Sequence, residues 1–386
     1  MRHILNISTT EALKAFFFSR LLIASIAILS SQIVLEKHYA REGHNYHMNI
    51  DLNPVKVLDS LRKIALSADA SWYVGIAING YDEAVSPSDK ARNWTFFPFF
   101  PLLMKCASAI VGNHLLAGLI ISNVCFFFGL VFMHRLQCLL GLSAASANRA
   151  IWFVALYPTS YFFSVPLTES LFFFLSVVAF YYLRREKYIV SGVLLCLAIA
   201  TRPTGAMMLP AVCMALKERG ILFTRHALAF LLLAPIGIVG FMWLMYILTT
   251  DPLAFYRNQL AWGRGQMNLM GLFSEIVAHP LKLMIGWNFI LLNLGSGVFV
   301  FAASIYFLFK RQYTWALFLI VPLAFMLNTG TVQSMARFAM VMFPAFFALS
   351  EWTRNAVFDR VVVVTSSALL ALMTALYALH VTSAMA

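Results

Sequence analysis

The chain has 386 residues, of which 61% are hydrophobic and 11% are charged, and its formal net charge is +12. Soluble domains are about 45–50% apolar, so this composition excludes an ordinary soluble protein and predicts an integral membrane protein. The positive charge does not indicate a nucleic-acid-binding protein, because the lysines and arginines stand in short groups between apolar runs, as topology signals do.

The apolar runs predict the fold class. A helix needs about 20 apolar residues to cross a bilayer, and the runs are continuous rather than alternating, which favours helices over barrel strands. We therefore predict an all-α polytopic membrane protein, a single domain over residues 1–386 with about 11 transmembrane helices (range about 9–12). Placing the N-terminus inside puts every short, purely basic connection on the inner side. The predicted spans are 15–35, 115–134, 150–165, 167–183, 188–202, 203–217, 226–249, 284–309, 313–328, 336–350 and 360–382.

Two long loops are predicted on the outer side, at 36–114 and 250–283. The first contains the mixed segment PVKVLDSLRKIAL at 54–66, whose apolar residues share one helical face. This pattern is typical of an amphipathic helix that lies in the headgroup plane. Near the end of the same loop, closely spaced prolines interrupt the apolar run at 93–111, which predicts a re-entrant or interfacial segment.

Asp69 stands close to an aromatic pair, Trp72 and Tyr73, in this charge-poor chain. An aspartate that precedes a helix commonly caps it, and this is the structural interpretation. The functional interpretation is a general base, because a carboxylate can take the proton of an acceptor hydroxyl as that hydroxyl attacks. Trp72 and Tyr73 are either anchors at the membrane interface or platforms for a sugar.

Further charged residues fall on the predicted outer side, near helix ends. Glu169 follows two prolines where a span begins, and it either forms a structural ion pair or contacts substrate. Arg202, Arg264 and Arg337 either extend to the headgroups or together bind a lipid phosphate, since guanidinium binds phosphate bidentately. Asp82 is either a solvated loop charge or a supporting group for the acceptor.

An ordered set of motifs resembles the PIG-V mannosyltransferase family of membrane-embedded GT-C glycosyltransferases. The family usually carries a tryptophan before the aspartate of the first motif, where this chain has Ala68. The motifs are DASWYVGIAINGYD at 69–82, FFPFFPLL at 96–103, LYPTSYFFSVPLTESLFF at 156–173, TRPTG at 201–205, AWGR at 261–264 and GTVQSMARFAMVMFP at 330–344.

The resemblance implies a GT-C-like bundle and a sugar donor linked to a polyprenyl phosphate, used on the outer or luminal face. It implies Asp69 as catalytic base, an inverting reaction, no cofactor and no metal. The expected partners are this donor, a glycolipid, glycan or protein acceptor, and the lipid bilayer, without nucleic acid.

The leading hypothesis is thus a multi-pass membrane glycosyltransferase that moves a hexose, with mannose as the expected sugar, to an acceptor hydroxyl. The expected location is the bacterial inner membrane, or the endoplasmic reticulum in a eukaryote. A transporter or lipid flippase is the alternative from another class, but transporters often carry paired half-repeats, and none is evident in the sequence. A non-catalytic subunit of a glycosylation complex is the third hypothesis.

Overall fold

The computed structural model describes residues 2–31, 33–40, 43–50, 54–83, 91–262, 269–278, 284–285, 288–329 and 332–379. Helices dominate these residues. In the first half of the chain they are α1 (Arg2–Ser31), α2 (Pro54–Ala65), α3 (Ala70–Asn79), α4 (Phe99–Val111), α5 (His114–Leu139), α6 (Ala144–Ala155), α7 (Thr168–Arg184), α8 (Tyr188–Ile199) and α9 (Leu209–Glu218). In the second half they are α10 (Arg225–Leu233), α11 (Ile236–Thr249), α12 (Ala254–Arg257), α13 (Leu269–Ala278), α14 (Ile290–Phe309), α15 (Tyr313–Leu327), α16 (Met335–Ala339), α17 (Pro344–Trp352) and α18 (Ala356–Ala378).

Shorter elements connect these helices. Within the part of the chain that the structure describes, four 3-10 helices occupy Asn93–Thr95, Ser160–Phe163, Pro203–Met208 and Asn258–Trp262. Strands β1 (Ile33–Ala40) and β2 (Gly43–Ile50) form an antiparallel hairpin in which Ile33 lies opposite Ile50. A second, minimal hairpin pairs β3 (Met284–Ile285) with β4 (Asn288–Phe289).

The helices confirm the predicted class of all-α, multi-pass membrane protein. Within the described residues, five stretches are long and apolar enough to cross a membrane by length and composition. The total of 11 spans and the N-in orientation stay predictions. The five stretches are Ser8–Ser31, His114–Leu139, Ala227–Thr249, Ile290–Phe309 and Ala356–Ala378.

Helix α7 lies at the centre of the packed bundle. Its residues are buried on nearly every side, as expected for a helix that is apolar all round. Aromatic side chains fill the space between α7 and its neighbours. Phe126 of α5 stacks on Phe163 with ring centroids 4.4 Å apart, and Phe163 in turn contacts Phe173 of α7 at 5.5 Å. Glu169, in the first turn of α7, is therefore held in a rigid environment.

The first outer loop contains both predicted and unpredicted structure. The amphipathic helix expected at 54–66 forms as α2, whereas the β1–β2 hairpin was not predicted. The interrupted segment at 93–111 becomes a 3-10 turn followed by α4, whose 13 residues extend only about 20 Å. That is short of the roughly 30 Å hydrocarbon core. At its start, the Phe99 N–H donates to the Ala200 carbonyl at 3.1 Å, so protein satisfies the interrupted backbone.

Candidate active site

Two carboxylates and two arginines from distant parts of the chain meet at the beginning of α7. The Arg337 guanidinium donates through Nη1 to Asp69 Oδ2 at 2.5 Å and through Nε to Glu169 Oε1 at 2.5 Å. Arg202 Nη1 donates to the same Glu169 oxygen at 2.7 Å. We call these residues, Asp69, Glu169, Arg202 and Arg337, the acid–arginine cluster.

Exposure differs sharply across the acid–arginine cluster. The Glu169 side chain is 0% exposed and each arginine side chain is 8% exposed, whereas that of Asp69 is 31% exposed. Because the formal charges balance, the buried ions compensate one another. Asp69 is thus the member that can meet a molecule arriving from outside the fold.

Aromatic rings surround the two arginines. The Arg337 guanidinium lies 5.0 Å from the centre of the Phe162 ring, and that of Arg202 lies 4.9 Å from the Phe338 ring. Such cation–π contacts stabilise a desolvated guanidinium in addition to its ion pairs. Because the guanidinium is planar, these ring contacts also restrict the directions in which its N–H groups point.

Asp69 precedes α3 but does not cap it. Its backbone carbonyl accepts from the Trp72 N–H at 3.1 Å, but its side chain makes no capping bond. Ala68 just before it has φ of 54°, in the left-handed region that costs a non-glycine residue about 1 kcal/mol or more. This turn directs the carboxylate toward Arg337. Oδ2 takes that bond, and Oδ1 makes none within the described residues.

Arg337 lies on the short helix α16. Like α3, this helix follows a residue in the left-handed region, here Ser334 with φ of 62°. Two polar side chains hold this helix. Asn293 Oδ1 accepts from the Ala336 N–H at 2.8 Å, and Thr159 Oγ1 donates to the Ala336 carbonyl at 3.2 Å. Sequence reasoning missed both residues, although an asparagine within the apolar run of α14 was a usable signal.

Arg20 is a third missed residue. Its guanidinium donates to Ser160 Oγ at 2.6 Å, to the Ser160 carbonyl at 3.0 Å and to Ser164 Oγ at 2.9 Å. These bonds tie α1 to the turn that places Phe162 beneath Arg337. A lone arginine in an apolar helix was the sequence signal, because such a charge needs partners within the protein.

The turn that presents Arg202 depends on a close backbone approach. Arg202 is extended, with φ of −152°, and Pro203 begins the following 3-10 helix. A Cβ atom on Gly205 would lie 2.7 Å from the Ile199 Cα and 2.9 Å from the Ala198 carbonyl oxygen. Glycine is therefore required here for space.

We expect Gly205→Ala to destabilise the protein by about 1–3 kcal/mol, as overpacking against backbone does, and to displace Arg202 from Glu169. Gly295→Ala in α14 is the matched control, since nothing lies within 4 Å of its Cβ position. The free energy of unfolding by denaturant titration checks both variants. Equal stability of the two would contradict the requirement.

Among the remaining sequence candidates, Trp72 and Tyr73 follow Asp69 on α3 and make no ion pair with the acid–arginine cluster in the described structure. Trp72 stacks on Phe96 with centroids 5.8 Å apart and meets Trp262 edge-on at 5.4 Å. Tyr73 is buried, and this burial raises the pKa of its hydroxyl above the ordinary value. Arg264, the remaining candidate for the donor phosphate, lies outside the described residues.

Asp82 has a local structural role. Its backbone N–H donates to Asn93 Oδ1 at 3.0 Å, and the Asn93 N–H donates to Asp82 Oδ2 at 3.3 Å. Trp94 Nε1 donates to the Asp82 carbonyl at 2.8 Å. These bonds close the loop between α3 and the first 3-10 turn, and the carboxylate does not join the acid–arginine cluster.

Comparisons with solved structures give matches to the oligosaccharyltransferase of Archaeoglobus fulgidus. Its apo form matches with 11% identity over 97% of this chain and 55% of that one, at a TM-score of 0.46. Its complex with Zn and sulfate matches with 14% identity over 85% and 52% of the two chains, at a TM-score of 0.40. The chain thus spans about half the length of these structures. A comparison with curated proteins found no match.

Residues 81–218 match the family model described as alpha-(1->6)-mannopyranosyltransferase, N-terminal domain. The matched region contains Glu169 and Arg202, while Asp69 precedes it and Arg337 follows it. The resemblance to the PIG-V family in particular stays a prediction. What the match supports is the coarser expectation that this multi-pass membrane protein is a glycosyltransferase with a mannosyltransferase-type domain.

Proposed function

We propose that the protein transfers a hexose, mannose in the first instance, from a polyprenyl phosphate to an acceptor hydroxyl on the outer or luminal face of the membrane. Asp69 is the general base and the reaction inverts the anomeric centre. The observation that carries the proposal is the partly exposed Asp69 carboxylate, held by Arg337 against a buried ion-pair network. The mannosyltransferase-type domain supports the same class of reaction.

The proposed step needs only one carboxylate in contact with the acceptor. Its hydroxyl donates a hydrogen bond to Asp69 and attacks the anomeric carbon from the side opposite the phosphate. The new carbon–oxygen bond forms as the bond to the phosphate oxygen breaks. The proton passes to Asp69, and polyprenyl phosphate departs with the electron pair, so no separate acid is required.

Within this proposal the arginines have two tasks. Arg337 orients Asp69 through Oδ2 and leaves Oδ1 for the acceptor. A guanidinium carries five N–H donors, of which the carboxylates engage one on Arg202 and two on Arg337. The unused donors, together with Arg264, are the proposed ligands of the donor phosphate. Their contacts would strengthen as the leaving group gains charge.

Glu169 holds both arginines and offers one further contact. Its Oε1 accepts from Arg202 and Arg337, while Oε2 is buried without a hydrogen-bond partner in the described structure. A buried carboxylate oxygen without a partner is unfavourable by about 1–3 kcal/mol or more. We propose that a sugar hydroxyl or an ordered water donates to Oε2 when the donor binds.

The purified full-length protein, incubated with a short-chain polyprenyl-phosphate mannose and a membrane acceptor extract, should release polyprenyl phosphate. The same assay in a metal chelator should proceed at about the same rate, because the proposed charge stabilisation comes from arginine. Mass spectrometry of the lipid products measures the release. Intact donor recovered on the opposite side of a vesicle would instead indicate a flippase, and unaltered donor under all acceptor conditions would indicate a non-catalytic subunit.

A further inference from the structure

A cavity of about 320 Å³ lies at the far end of α7 from the acid–arginine cluster. Glu169 is in the first turn of α7 and Arg184 is its last residue, and a helix rises 1.5 Å per residue, so the two sites are roughly 22 Å apart. The volume is in the range of small-molecule sites, about 300–1,000 Å³. The cavity is therefore separate from the proposed reaction centre. We call it the α14–α15 cavity, after the connection that borders it.

The charged residues of the α14–α15 cavity are not paired with one another. Glu218 accepts from the Thr314 N–H at 3.2 Å and from its hydroxyl at 2.8 Å. Glu351 is engaged by Ser146 and by Arg354. In contrast, the side chains of Arg184 and Arg311, which also line the cavity, make no hydrogen bond or ion pair within the described residues.

Arg311 occupies a backbone position that glycine normally takes. Its φ is 56°, and the end of α14 has the bonds of a Schellman motif, from Arg311 N–H to the Leu308 carbonyl and from Gln312 N–H to the Phe307 carbonyl. Glycine is preferred at this position because a side chain costs about 1 kcal/mol there.

Two neighbouring helix ends provide the comparison. α5 and α9, which also border the cavity, end in the same motif with glycine, at Gly141 and Gly220. A further end that borders the cavity, that of α7, has this motif with Glu186 at φ of 61°, and the Glu186 side chain pairs with Arg219. Among these four ends, two therefore have a charged side chain at the strained position. This is the pattern expected where the side chain itself has a use.

The apolar residues of the lining further restrict the class of ligand that the cavity can bind. Leu139, Phe307 and Trp315 border the cavity beside the arginines, and Lys310 lies 5.8 Å from the ring of Tyr306, another lining residue. The lining therefore combines two guanidinium groups that form no ion pair in the described part of the chain, two carboxylates that are engaged by other residues, and an apolar wall. Guanidinium binds phosphate oxygens bidentately and stays charged at every physiological pH.

We propose that the α14–α15 cavity binds a phosphate-bearing anion, held by Arg184 and Arg311. The phosphate comes either from the headgroup of an anionic phospholipid or from a free phosphate in solution. The site is independent of the proposed transfer reaction, since none of its residues belongs to the acid–arginine cluster.

The test titrates the detergent-purified full-length protein at constant ionic strength, with phosphatidylglycerol in mixed micelles in one arm and inorganic phosphate in the other. Saturable stabilisation, measured as a rise in Tm, is expected in at least one arm. A rise with phosphatidylglycerol alone identifies a lipid headgroup, and a rise with inorganic phosphate identifies a free anion.

Arg311→Gly and Arg184→Gln should each shift the midpoint of that titration by about tenfold, the effect of losing one charge-assisted contact. Arg311→Gly also relieves the backbone strain, so misfolding cannot explain its loss of binding. Thr250→Gly is the matched control, because Thr250 is another left-handed helix end, with φ of 59°, that does not line the cavity. The proposal is overturned if neither arm gives a saturable rise, or if both arginine variants titrate like the unmodified protein.

Discussion

Asp69→Asn should reduce the turnover of sugar transfer by about 10²-fold or more, because an amide cannot take the proton of the acceptor hydroxyl. The fold should survive with a smaller loss of stability than a change at Glu169 would cause, because the Asp69 side chain is 31% exposed and water screens the arginine charge that is left. The side chain caps no helix in the native protein, and an asparagine oxygen can still accept from Arg337. The affinity for donor should change little, since the proposed phosphate ligands are retained. Measured kcat, donor affinity and Tm on the purified variant together check this expectation.

Asp82→Asn is the matched control for that experiment. It makes the same chemical change in a neighbouring loop, at a carboxylate that bonds Asn93 rather than Arg337. It should therefore leave turnover near normal. If Asp69→Asn retained nearly full activity, Asp69 would not be the base. If both variants lost activity equally, the loss would reflect a disturbance of the whole segment from Asp69 to Asp82 and not a role of Asp69 as base.

The members of the acid–arginine cluster could be found in the sequence because charges are rare in this chain. Asp69, Glu169, Arg202 and Arg337 each stand near an apolar run or a proline-interrupted helix end, where a charge is unfavourable without a partner. The sequence did not predict which arginine pairs with which carboxylate. Asp69 and Arg337 are 268 positions apart, and no local pattern specifies which arginine meets which acid.

The sequence also did not predict the local backbone geometry that precedes the cluster residues. Neither Ala68 nor Ser334 is a residue type that signals a left-handed conformation, yet each turns the chain just before a cluster residue. Strands β1 and β2 were missed because their polar and apolar residues do not alternate clearly. Beside Ala68 and Ser334, contacts with distant residues hold the chain, from Asp69 to Arg337 and from Ala336 to Asn293, and such contacts are not visible to local propensity.

The largest effect on stability is expected at Glu169. Glu169→Gln removes the charge that two nearly buried arginines share, and leaves only the partly exposed Asp69 to compensate them. Breaking a buried ion pair on one side costs about 3–5 kcal/mol, because the remaining charge is uncompensated. Glu186→Gln is the control, as its pair with Arg219 has a carboxylate side chain that is 69% exposed. Such surface pairs are worth about 0–1 kcal/mol.

A second substitution separates lost pairing from lost packing. If uncompensated charge causes the effect, Glu169→Gln combined with Arg202→Met should be more stable than Glu169→Gln alone, since one of the two arginine charges is then gone. The free energies of unfolding of these two variants, of Arg202→Met alone and of the unmodified protein, measured by titration with a denaturing detergent, give all terms of this cycle. A loss below about 1 kcal/mol for Glu169→Gln would mean that water already reaches the cluster. In that case Asp69 would not be held by a buried ion-pair network, and the rigid placement of this proposed base would have to come from α3 alone.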